Sequence, residues 1–180
     1  MKNALSFILE IIKISLIALA IVIPIRYFLF QPFFVRGESM DPNFENGDYL
    51  IIDEITYRFR NPERGEVIVF QSPADFSQRF IKRVIGLPGE TIKISDGQVM
   101  ITNNLGTQVL NESEYLAGIK TGGDTEVDLK ENEYFVMGDN RPFSYDSRRF
   151  GVIKKESIIG RVAIRAWPVD SLNKFQAPAY

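Results

Sequence analysis

Two residues in this chain have the types and surroundings to start a reaction. Ser39 lies in Gly37-Glu38-Ser39-Met40-Asp41-Pro42 and Lys82 in Phe80-Ile81-Lys82-Arg83-Val84-Ile85-Gly86, in a sequence that contains no histidine. A hydroxyl is a weak nucleophile until a base takes its proton, and without imidazole a neutral lysine amine is the strongest remaining base. A hydrolase built on this sequence is therefore a Ser-Lys one.

Each frame alone has a plainer account. A serine between a glycine and a proline suits a sharp, exposed turn that presents its hydroxyl and a free backbone N–H, but most serines in such loops are simply loop. Lys82 sits in a strongly β-forming run, where strand alternation puts it on one face with Phe80 and Val84. Apolar neighbours would push its amine toward the neutral form; half-neutrality near pH 8 requires a drop of about two units, roughly 3 kcal/mol. The plain alternative is that Lys82 and Arg83 are solvated cations on an edge strand. A third frame, 137–151, packs Gly138, Asp139, Asn140, Arg141, Ser144, Asp146, Ser147 and Arg148 directly behind an apolar run. A serine hydroxyl there could hold a lysine amine in orientation, with Asp146 and Arg148 as a supporting ion pair. A surface turn with incidental salt bridges fits the same composition.

The rest of the chain must bring these frames together. Its 180 residues, 45% hydrophobic, suit one domain or a core with a small satellite. The net charge is −2, and −4 without Lys2, Lys13, Arg26 and Glu10 of the N-terminal segment, which makes nucleic acid a poor partner. With neither cysteine nor histidine, there is no disulfide framework and no soft metal-ligand set.

Residues 14–30 read ISLIALAIVIPIRYFLF, preceded by a further apolar run with a single charge at Glu10. As a helix, 5–25 would rise about 31 Å, matching a hydrocarbon core of roughly 30 Å. Lys13 and Arg26 flank the most apolar part and could snorkel, with Tyr27 and Phe28 in the aromatic belt. Ala18-Leu19-Ala20 resembles a small-x-small cleavage site, yet the apolar stretch between Lys13 and that triplet is too short for a signal-peptide core and continues well beyond it. The segment reads as a membrane anchor, 1–31. Beyond it the pattern alternates: 49–52, 66–70, 79–85, 91–94, 99–101, 134–137 and 160–166 read as strands bounded by turn residues. Ser95-Asp96-Gly97 suggests a hairpin between Ile94 and Val99. The more polar stretch 103–131 reads as an excursion from the main sheet. The expected architecture is mainly β: an anchor helix, then a domain over 32–180 with a small inserted subdomain at 95–132.

Taken in order, Gly37-x-Ser39-Met40-x-Pro42, Gly47-Asp48-Tyr49-Leu50-Ile51, Arg64-Gly65-Glu66-Val67-Ile68-Val69-Phe70, Lys82-Arg83-Val84-Ile85-Gly86-Leu87-Pro88-Gly89-Glu90 and Gly138-Asp139-Asn140-Arg141-x-x-Ser144-x-Asp146-Ser147-Arg148 resemble the boxes of bacterial type I signal peptidases. The resemblance runs from the membrane segment to Trp167. It implies a signal-peptidase-like β-sheet core, with Ser39 as nucleophile, Lys82 as general base, Ser144 orienting the Lys82 amine, and Asp146 and Arg148 supporting that loop. It also implies an oxyanion held by the Ser39 N–H; where some members carry a serine hydroxyl for the same task, this chain has Gly37. Phe33, Val35, Met40, Phe80 and Ile81 fall where the family lines shallow pockets for small residues. The implied substrates are secretory preproteins cut after A-x-A-type sites. The implied setting is a single-pass plasma-membrane protein in contact with membrane lipid, its catalytic domain on the extracytoplasmic face, with no metal or organic cofactor.

Two other readings use the same residues. A self-cleaving regulator of the SOS-repressor type shares the Ser-Lys chemistry, and Ala117-Gly118 resembles its cleavage dipeptide, but here that dipeptide follows both catalytic candidates. A silent, membrane-anchored β scaffold is the other; intact Ser39, Lys82 and Ser144 argue against it.

Overall fold

The computed structural model describes residues 2–28, 30–116 and 118–178, with side chains over 6–22, 31–116 and 118–178. Ala117, and with it the Ala117-Gly118 bond, lies outside the described residues, as do the side chains of Arg26, Tyr27 and Phe28.

The chain opens with helix α1, Lys2–Phe28. Its described side chains are exposed along the whole of 6–22, including Phe7, Ile14 and Leu16. Among the described residues no helix is long and apolar enough to cross a membrane.

Strands then follow in quick succession: β1 Phe30–Phe34, β2 Tyr49–Asp53, β3 Val67–Gln71, β4 Arg79–Gly86, β5 Thr91–Ser95, β6 Gln98–Asn103 and β7 Gly106–Val109. A helical turn α2, Ser113–Leu116, leads to β8 Thr125–Asp128 and β9 Glu133–Met137. After a second turn, α3 Ser147–Phe150, come β10 Ile153–Lys154, β11 Ile158–Trp167 and β12 Asn173–Lys174. The main sheet runs β1-β2-β11-β3-β4-β9-β10, with β12 on β11; a second sheet runs β7-β6-β5-β8. Every pairing is antiparallel. The architecture is mainly β.

The central strands β3, β4 and β9 are largely buried on both faces, which is why β3 and β9 read as nearly unbroken apolar runs, while β4 carries Lys82 and Arg83 into the interior. One face packs Val67, Val69 and Ile81 against Val35, Met40, Phe44 and Leu50. The other packs Ile68, Phe70 and Val84 against Tyr134, Val136 and Ile153. At the far end of β4 and β9, Ile85, Phe135 and Met137 share a core with Ile92, Ile94, Val99, Ile101 and Leu110 of the second sheet. The hairpin at 95–97 forms, with Ser95 opposite Gln98 and positive φ at both Asp96 and Gly97, the conformation that Asp-Gly favours. Within the excursion 103–131 lie β7, α2 and β8; β7 is exposed at every position, so its sequence carries no alternation to announce a strand.

Candidate active site

The Ser39 turn is pinned from both sides. Val35 N–H donates to the Asp48 carbonyl at 2.9 Å and Gly47 N–H to the Val35 carbonyl at 3.0 Å. Gly37 has φ +93° and open space where a Cβ would stand, so backbone conformation rather than crowding favours glycine there. Its N–H donates to Asn46 Oδ1 at 3.0 Å. Beyond the serine, Asp41 N–H reaches the Glu38 carbonyl and Phe44 N–H the Met40 carbonyl. With Val35, Met40 and Phe44 driven into the core, the intervening residues are lifted to the surface, and Ser39 stands half-buried at the crest.

Strand β4 carries Lys82 up beneath that crest. Lys82 is 4% exposed, pairs across the ladder with Ile68, and places its Nζ 5.7 Å from the centre of the Phe80 ring. Nζ donates to Ser39 Oγ at 2.7 Å and to the Ile81 carbonyl at 2.9 Å. Burial pulls the amine from 10.5 down to about 8, against the opposing pull of the Asp146 and Asp139 charges. A lysine in this state is half neutral near pH 8 and about a tenth neutral at pH 7. When it is neutral the hydrogen bond can reverse, with the hydroxyl donating to the amine lone pair.

The 138–148 segment is held by three ion pairs with little exposure. Arg83 grips Asp139 through Nε at 2.8 Å and Nη2 at 2.5 Å, and Asn43 Nδ2 donates to the same carboxylate at 2.9 Å. Arg141 grips Glu112 at 2.6 and 2.9 Å and also donates to Thr121 Oγ1. Arg148 grips Asp146 at 2.8 Å through both Nε and Nη2, and its other nitrogen reaches the Gly122 carbonyl. Asp146 is fully buried, which alone would raise its pKa; the Arg148 hydrogen bonds and charge outweigh burial and hold the carboxyl below the usual range. Its Oδ2 also accepts from Gly138 N–H at 3.1 Å.

This segment is fastened to the Ser39 turn by Asn140, whose backbone N–H donates to the Ser39 carbonyl at 3.1 Å and whose Nδ2 donates to the Glu38 carbonyl at 2.9 Å. Contact is closest at Gly138, where a Cβ would collide with both the Ser39 carbonyl oxygen and the Ser144 hydroxyl. Ser144 is 4% exposed. Its hydroxyl lies near enough to Asp146 to favour the carboxylate, yet it has no hydrogen-bond partner of good geometry, Lys82 included. The structure thus gathers Ser39, Lys82, Ser144, Asp146 and Arg148 into one neighbourhood, with a direct hydrogen bond between the first two and none between Lys82 and Ser144.

A cleft of about 340 Å3 opens beside Ser39 and Lys82, and Phe33, Phe80 and Ile81 line it. Val35 and Met40 do not: each is 1% exposed and belongs to the core beneath. Strand alternation alone would put Phe33 and Val35 on one face, and Phe33 does touch the same core; Val35 lies just past the end of β1, where the chain turns and takes its side chain fully inside. The cleft also contains Phe143 and Tyr145, which the sequence reading passed over although they stand on either side of Ser144. Phe143 is 75% exposed. A large aromatic left in water inside a polar box was the available signal. Among the described residues no three His, Cys, Asp or Glu side chains are grouped as metal ligands.

Comparison with known proteins places the chain in a family. Residues 8–167 match the family described as signal peptidase, peptidase S26. The chain is 38% identical over 171 residues to a probable signal peptidase I-2 of Synechocystis sp., covering 92% of this chain and 76% of that protein. It is 36% identical over 177 residues to a signal peptidase I of Leptolyngbya laminosa, covering 94% and 85%. A crystal structure of a signal peptidase I from Enterococcus faecalis V583 aligns at 36% identity with a TM-score of 0.49, over 57% of this chain and 97% of that one. With the family matched over most of its length and relatives above 30% identity along nearly all of it, this chain belongs to the signal peptidase family, peptidase S26, and is a peptidase of the signal peptidase I type.

Proposed function

We propose that this peptidase removes signal peptides from secretory preproteins with Ser39 as nucleophile and Lys82 as general base. The observation that carries the reading is the 2.7 Å contact between Lys82 Nζ and Ser39 Oγ, made by an amine whose pKa is lowered to about 8. Neutral Lys82 takes the hydroxyl proton as Oγ attacks the scissile carbonyl. The Ser39 backbone N–H faces the developing oxyanion, and Gly37 adds no side-chain donor. Collapse of the tetrahedral intermediate breaks the C–N bond, and the proton on Lys82 passes to the leaving amine. Lys82 then deprotonates the water that hydrolyses the acyl-enzyme. Ser144, buried and unpaired, turns to Lys82 and fixes the amine's direction as it exchanges protons, while Asp146 and Arg148 hold the Ser144 turn in place.

The substrate lies extended in the cleft lined by Phe33, Phe80 and Ile81, whose apolar walls suit the small side chains of A-x-A-type sequences. Val35 and Met40 brace those walls from the core. The segment 1–31 anchors the protein in the plasma membrane by a single pass, with the described apolar side chains of α1 exposed for lipid. The domain 32–180, with its insertion at 95–132, stands on the extracytoplasmic face, where nine residues from Phe30 to Ser39 keep the dyad close to the bilayer. The test is cleavage of a defined preprotein by the wild type, Ser39→Ala and Lys82→Met. Both variants should fold and fail to process; turnover retained in Lys82→Met would remove the lysine from its role.

A further inference from the structure

The turn at 142–145 has two sides. Phe143 and Tyr145 line the cleft beside the dyad, whereas Pro142 and Ser144 line a second cavity of about 440 Å3, walled elsewhere by Lys120, residues 122–125 and Arg149. Ser144, on the wall of this cavity, also lies close to the Ser39 turn, since a Cβ on Gly138 would collide with both the Ser39 carbonyl and the Ser144 hydroxyl. Ser144 Oγ is buried without a hydrogen-bond partner. Beside Asp146, whose carboxylate it favours, this hydroxyl keeps acceptor capacity at the cavity wall.

The charge of the cavity opposes that of the chain. Arg141 and Arg148 also reach it, but Glu112 and Asp146 neutralise them. Lys120 and Arg149 are exposed and make no ion pair among the described residues, and the lining contains one carboxylate, Asp124. A locally positive recess has thus been built into a molecule of net charge −2.

We propose that this cavity receives the part of the preprotein that follows the cut, and that Lys120 and Arg149 select for an acidic side chain in it. The inference rests on the reading of this chain as a preprotein-cleaving Ser-Lys peptidase. An extended chain advances roughly 3.3 Å per residue, so a segment leaving Ser39 past Ser144 brings about its second to fourth residue into the recess. Ser144 accepts a backbone N–H from that segment; one donor and two acceptor sites leave its proton available to Lys82.

The test uses one preprotein in three forms, with Ala, Glu or Lys at the third residue after the cut, and the full-length enzyme in detergent. The wild type should process the Glu form with a kcat/KM about threefold to tenfold above the Lys form, the scale of two exposed charge contacts. The preference should shrink at high salt, persist in Lys120→Arg, and reverse in Lys120→Glu/Arg149→Glu. Equal kcat/KM for the Glu and Lys forms, or a preference untouched by the double variant, overturns the inference. Failure to cut any form overturns the proposed function and this inference with it; cleavage of the Ala form without charge preference overturns this inference alone.

Discussion

At the scale of single residues, the role proposed for Lys82 ties activity and stability together with opposite signs. Only its neutral form can take the Ser39 proton, so kcat/KM for preprotein cleavage should rise tenfold per pH unit below the lysine's pKa and level off above about 8. A profile already flat at pH 6 would contradict this. The same depression costs stability. Below pH 8 the native state must hold a buried ammonium that the unfolded chain keeps in water. Between 8 and 10.5 the unfolded chain binds a proton that the native state has released, so native stability gains with rising pH across that window. Lys82→Met removes the burden. Urea unfolding should find it more stable than the wild type near pH 7, by up to about 3 kcal/mol, with the advantage shrinking as pH approaches 10.5. The lysine's face was legible in the sequence, since alternation places it with Phe80; its distance from Ser39 was not, because no local pattern relates residues 43 apart.

At the scale of elements, the site depends on how tightly the 138–148 segment seats on the Ser39 turn. Asn140 fastens the two by hydrogen bonds, and Gly138 allows the approach. Gly138→Ala should therefore force the Ser39 turn and the Ser144 turn apart. A displacement of about 1 Å at a reacting group costs on the order of 100-fold in rate, so kcat/KM should fall at least that far while circular dichroism stays native. Wild-type turnover in Gly138→Ala would show that the close approach is not needed. The polar crowding of this box was visible as composition. The identity of the partners was not: Asp139 takes Arg83 from β4, and Arg141 takes Glu112 from just before α2. The pocket residues show the same limit. Val35, Met40, Phe33 and Ile81 are equally apolar and all touch one core, and only their tertiary placement decides that Phe33 and Ile81 also reach the cleft.

At the scale of the whole molecule, the second sheet is bound to the first by a common core, so the two should unfold together. Phe135 sits on β9 of the main sheet yet packs in the cluster built around Ile92, Ile94 and Ile101. Phe135→Ala should cost about 3–5 kcal/mol and lower a single calorimetric transition; a split into two transitions would show that the sheets are stable separately. In the main sheet β1 begins inside the segment expected to be the anchor and was not expected as a strand, whereas β3 and β9 could be expected from their apolar runs, because burial on both faces leaves a strong composition signal. The exposed β7 and the two-residue strands β10 and β12 leave none.

Taken alone, the amino-acid sequence determined which groups can react and in what order the β elements follow. These are properties of residue type and short spacing, and they survive in a single chain read left to right. The tertiary structure alone decided that the amine meets the hydroxyl, that it does so away from water, that Ser144 stays unpaired at the mouth of a positive cavity, and that two apolar candidates serve the core instead. Those outcomes depend on contacts between segments tens of residues apart, and on burial, which no residue possesses until its neighbours are in place.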